Sequence, residues 1–140
     1  MISKRSLGLS VLWWVLAAME VGAFSAAPAL ATKTDHGFVF TSLGHGVHFA
    51  VTSVITAGLT LLYFRKAERG VARALEFAVL LVLVGLGLEA AITVPAFIHD
   101  YAAFFSRWTV WATYGLTMLV ATLVGLLHGP AKPKLAPQPA

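Results

Sequence analysis

The stretch that decides the fold is Phe38–Phe64, FVFTSLGHGVHFAVTSVITAGLTLLYF. It carries no acid, lysine or arginine and is long enough to cross a hydrocarbon core as a helix. A polar line runs through it: His45, His48, Thr52, Thr56 and Thr60, at spacings of three and then four. On a helix these positions share one face. In lipid such a face turns toward protein or water, because acyl chains offer polar groups no partner.

Working outward, the rest of the chain repeats the apolar theme. Of 140 residues, 59% are hydrophobic and only 11% charged, well below the quarter common in soluble domains. The implied class is an all-α integral membrane protein, a four-transmembrane-helix bundle. The expected helices cover about 7–30, 38–64, 74–97 and 104–127, forming one domain over 1–128. Residues 129–140, rich in proline and lysine, are expected to be a disordered tail. The basic start, the apolar run and Ala29-Leu30-Ala31 also resemble a cleavable secretory signal. That run is long for a signal and contains Glu20, so a retained helix is expected.

A net charge of +4 does not imply a nucleic-acid partner here, because the basic residues sit at the ends of apolar segments. Placing both termini in the cytoplasm puts Lys4, Arg5, Arg65, Lys66, Arg69, Arg73, Lys132 and Lys134 inside and leaves only Lys33 and Arg107 outside. A bacterial inner (plasma) membrane is the expected location. The absence of cysteine excludes disulfides, thiolate metal sites and thiol redox chemistry.

Depth then selects a candidate site. At about 1.5 Å per residue, Glu20 lies roughly 20 Å from the inner end of the first helix and Glu89 roughly 22 Å from that of the third. His45 and His48 occupy the first turns of the second helix, at similar height, with His99 and Asp100 at the outer rim. Glu20 shares its face with Ala17, Ala23 and Ala27, and Glu89 with Gly85 and Thr93. Small residues beside an acid favour close helix approach.

Three functions fit this cluster. The first is a metal site built from Glu20, His45, His48 and Glu89, holding zinc, iron or copper, or a haem held by His45 or His48 with His99. His-x-x-His puts two imidazoles on one helical face, although the paired Glu-x-x-His motifs of di-iron bundles are absent. The second is a proton relay or a small proton-coupled transporter using Glu20, since buried carboxyls and imidazoles can exchange protons near neutral pH. Ala18-Met19-Glu20-Val21-Gly22 resembles the first-helix glutamate region of the small multidrug resistance transporters, which are also four-helix proteins. The likeness spans about five residues; the chain is longer and lacks that family's Trp-Ser-Gly type stretch, so no function is carried over. The third is an accessory or anchor subunit of a larger membrane redox complex, or a homo-oligomer. Trp13 and Trp14 are expected to contact lipid. Thr52–Thr60 and the second line, Thr109, Thr113 and Thr117, are expected to be packing seams. No nucleophile–base pair or phosphate loop marks an enzyme.

Overall fold

A computed structural model describes residues 3–35 and 37–128. His36 and the expected tail at 129–140 lie outside the described residues. Four helical spans are long and apolar enough to cross a membrane: Lys4–Ser25, Ser42–Phe64, Val71–Ile98 and Trp108–Leu127. They are α1 (Lys4–Ser25), α2 (Ser42–Phe64), α3 (Val71–Leu88) continued by a π-helical segment (Glu89–Ile98), and α5 (Trp108–Leu127); a short α4 (Tyr101–Phe105) precedes α5. α2 packs on α1 and α5, and α3 packs on the same two from the other side. α2, like α3, therefore reaches both α1 and α5.

The first connection differs from the sequence reading. α1 stops at Ser25 rather than near residue 30, because Pro28 disfavours helical geometry just before it. Between the first two spans there is a β-hairpin, β1 (Ala31–Thr34) paired antiparallel with β2 (Gly37–Phe40). Gly37, at φ +103°, supplies the left-handed backbone that follows the tip. α2 consequently starts at Ser42 and not at Phe38, with Thr41 as its cap: the Thr41 hydroxyl accepts from the Gly44 N–H at 3.0 Å and donates to the Ala29 carbonyl at 2.7 Å. A side chain at Gly44 would sit 1.8 Å from the Leu30 carbonyl oxygen, so the hairpin and α2 meet backbone to backbone.

The third span also departs from a plain α-helix. Pro95 has no N–H and its ring would crowd the carbonyl four residues back, at Ala91. From Glu89 the helix widens to i−5 bonding, which relieves that clash and leaves the Ala90 carbonyl without its main-chain donor. The Tyr101 hydroxyl donates to that carbonyl at 2.9 Å. The segment ends at His99, left-handed at φ 61°, and Asp100 caps α4 by accepting from the Ala103 N–H at 2.9 Å. The expected helix at 104–127 is broken at Ser106–Arg107, where an Arg107 N–H donates to the Phe38 carbonyl of β2 at 3.0 Å.

The core layer below the site joins Trp13, Leu59, Phe77, Leu81 and Tyr114. Trp13 is only 2% exposed and donates from Nε1 to Thr56 Oγ1 at 2.9 Å. This corrects the expectation of lipid contact for Trp13: its ring fills the bundle and its polar edge needs the threonine. Gly85 makes the layer possible, since a Cβ there would lie 2.9 Å from the Tyr114 ring and 3.0 Å from Trp13. The outer surface is apolar, with Val54 73% and Leu83 63% exposed, as suits a bundle solvated by acyl chains.

Candidate functional site

The inner face of α2 is a run at spacing four: Gly44, His48, Thr52, Thr56 and Thr60, all buried. His45, one residue off this line, is half-buried and turns elsewhere. Its Nδ1 lies 2.9 Å from the Thr41 carbonyl and its ring stacks on Trp108, centroids 5.0 Å apart. The polar line of α2 is therefore centred on His48.

His48 bridges three helices. Its Nδ1 lies 3.1 Å from Glu20 Oε1 on α1, and its Nε2 lies 2.9 Å from Thr113 Oγ1 on α5. Glu20 is 9% and His48 5% exposed. Phe40 of the hairpin stacks over the imidazole at 4.9 Å and touches Phe24 of α1 edge-on, covering the pair from the hairpin side.

The hydrogen bonds fix a proton inventory. Thr113 has one hydroxyl hydrogen, and its Oγ1 donates to the Thr109 carbonyl at 2.7 Å. It can then only accept from His48, so Nε2 carries a hydrogen. One further proton lies between Nδ1 and Glu20 Oε1. The pair is neutral overall whether that proton rests on the carboxyl or on the imidazole, which lowers the cost of burying it. The second carboxyl oxygen, Glu20 Oε2, is buried and has no hydrogen-bond partner among the described residues, and Thr52 Oγ1, one turn along α2, is likewise unpartnered.

No family model matches the chain, and neither a curated protein nor a solved structure matches it.

Of the residues singled out from sequence, Glu20 and His48 are brought into contact. Glu89, half-buried at the start of the π-helical segment, neighbours Trp14 and Thr93. Its Oε2 and the Trp14 Nε1 are both buried without a hydrogen bond. His99 is exposed and serves as the left-handed end of its helix. Among the described residues, no three histidine, aspartate or glutamate side chains gather in a group that could hold a metal ion. Thr113, expected from sequence to lie in a packing seam, joins this contact through His48 Nε2. A signal for it exists: Thr113 lies five residues into α5 and His48 six into α2, both from the same end of the bundle.

Proposed function

We propose that this chain is an integral membrane protein whose Glu20–His48–Thr113 chain is a buried proton-carrying site serving proton-linked transport or relay across the bundle. The observation behind this reading is the unpartnered, buried Glu20 Oε2 beside the 3.1 Å contact of Oε1 with His48 Nδ1. An unpaired buried acceptor costs about 1–3 kcal/mol, so a donor that reaches Oε2 recovers that energy. Here one oxygen is held for something that arrives, and a proton is the smallest such thing. The four apolar spans support membrane insertion, and the distribution of basic residues supports cytoplasmic termini and a site in the outer half of the bilayer.

The test is proton flux in proteoliposomes under an imposed pH gradient, followed with an entrapped pH dye. Flux above protein-free vesicles is expected from the natural chain and is lost in Glu20→Gln. Equal flux in the two proteins overturns the reading.

A second reading rests on the same orphaned oxygen. A metal ion bound by Glu20 and His48, with His45 or Glu89 turning inward to complete the set, would take the place of the shared proton. It predicts stoichiometric zinc, iron or copper in the purified protein, removed by His48→Ala. An accessory role in a larger redox complex has no comparable observation behind it.

A further inference from the structure

At the opposite end of the bundle from Glu20, α1 begins beside the α2–α3 turn. Two adjoining hollows lie there and share Tyr63. One, of about 520 Å³, is a largely apolar groove along α3, walled by Leu75, Val79 and Leu83 and floored by Phe77, with Ser6 and the Arg73-paired Glu76 also on its lining. At about 1.5 Å per residue, Leu75 to Leu83 is roughly 12 Å of helix. The other, of about 320 Å³, is lined by Arg5, Lys66 and Arg73, with Glu68 the one acid. Tyr63 stacks flat on Phe77, ring centroids 4.5 Å apart, making a firm floor where the two meet.

The cations differ in how they are engaged. Arg73 pairs with Glu76 at 2.7 Å and, more loosely, with Glu68 at 3.7 Å. Arg5 is held by one guanidinium nitrogen on the Leu62 carbonyl, and its other terminal nitrogen, NH1, is buried with no partner among the described residues. Lys66 is exposed. A fixed guanidinium with a spare donor and a free-reaching ammonium, at the mouth of a greasy groove, complement one molecule shape: a phosphate head on an acyl chain.

We propose that this end of the bundle binds an anionic phospholipid, its phosphate between Arg5 and Lys66 and one acyl chain along Leu75, Val79 and Leu83. Arg5 supplies directional hydrogen bonds to phosphate oxygens. Lys66 supplies charge. Tyr63 and Phe77 carry the glycerol region from the polar hollow into the groove. The site rests on membrane placement of the bundle and is independent of the Glu20 pair.

Native mass spectrometry of the full chain from mild detergent, with equal amounts of phosphatidylglycerol and phosphatidylcholine, tests it. One retained phosphatidylglycerol in clear excess over phosphatidylcholine is expected. Lys66→Gln and Arg5→Gln each lower that preference about fivefold, the effect of one cation near a lipid phosphate. Glu68→Gln, at an exposed position, removes the one acid of the polar hollow and raises it. Val79→Trp fills the groove and reduces retention of both lipids. Equal retention of the two lipids, or a preference unmoved by both Lys66→Gln and Glu68→Gln, overturns the proposal. So does displacement of the lipid by millimolar inorganic phosphate, which would mean a free-anion site.

Discussion

Thr113 on α5 accepts from His48 Nε2 at 2.9 Å while giving its own hydrogen to the Thr109 carbonyl at 2.7 Å. The back-bond of a single threonine thus sets the tautomer of a histidine on another helix. Nitrogen-15 NMR on histidine-labelled protein should find His48 protonated at Nε2, with or without a second proton at Nδ1. A neutral ring protonated at Nδ1 alone contradicts the proton inventory. Thr113→Val keeps the shape and removes the acceptor. It leaves a buried N–H unpaired and should lower stability by about 1–3 kcal/mol. Thr113→Ser, which retains the hydroxyl, should cost less.

Glu20 variants separate the two resting forms of the pair. A glutamine amide can donate to Nδ1 as a protonated carboxyl does. If the proton rests on Glu20, Glu20→Gln should change stability by less than about 1 kcal/mol, the net worth of one neutral hydrogen bond. If the pair is ionic, removing the carboxylate strands a buried imidazolium and costs about 3–5 kcal/mol. Thermal denaturation in one detergent, with Glu20→Ala as the reference for loss of the contact, distinguishes these outcomes. We expect the small value, since a proton-loading site works from a neutral form in an apolar surround.

Gly44 is where the hairpin and α2 touch. Gly44→Ala puts a methyl 1.8 Å from the Leu30 carbonyl oxygen, and backbone cannot swing aside as a side chain can. Destabilisation of about 1–3 kcal/mol or more is expected, with Phe40 displaced from His48. Gly46→Ala, whose Cβ meets nothing within 4 Å, should be neutral or slightly stabilising through helix propensity. Similar melting temperatures for the two variants would count against the close approach.

These cases show what the sequence could and could not reveal. Four long apolar segments are readable because bilayer thickness sets a minimum length. Helical depth brings Glu20 and His48 to one height, and they meet. Depth and spacing do not say which side of a line faces in, and so His45, three residues before His48, was grouped with it although it turns to Thr41 and Trp108. The hairpin was missed because its strands are four residues each and run directly into the apolar segment. Thr113 was missed because a threonine bonded to its own helix looks the same in sequence whether or not a histidine uses its lone pair. The π-helical segment had one signal, Pro95 inside an apolar run, but a proline alone permits a kink, a break or a widened turn.

Trp13 gives a prediction for the core. Trp13→Phe keeps most of the apolar area and removes the donor to Thr56. The lost hydrogen bond, about 0.5–1.5 kcal/mol, adds to the void left by the smaller ring, and a total of about 2–3 kcal/mol is expected. Trp13→Phe combined with Thr56→Val should cost less than the sum of the two single changes, because the bond is lost only once. Strict additivity in denaturation measurements would show that the indole and hydroxyl do not interact.

The same logic reaches the π-helical segment. Pro95 withholds the N–H that the Ala90 carbonyl needs, and Tyr101 supplies a hydroxyl instead. Tyr101→Phe removes that donor from an exposed position where water can partly replace it, so the cost should be about 0.5–1 kcal/mol. Pro95→Ala restores a main-chain N–H able to bond to Ala90 in the π register or to Ala91 in an α register. In that background the hydroxyl is redundant, and Tyr101→Phe should be close to neutral. Amide exchange adds a second readout: Pro95→Ala should slow exchange across 89–98 by removing the break in the hydrogen-bond ladder. If Tyr101→Phe costs the same with proline or alanine at position 95, the tyrosine is not standing in for the missing donor.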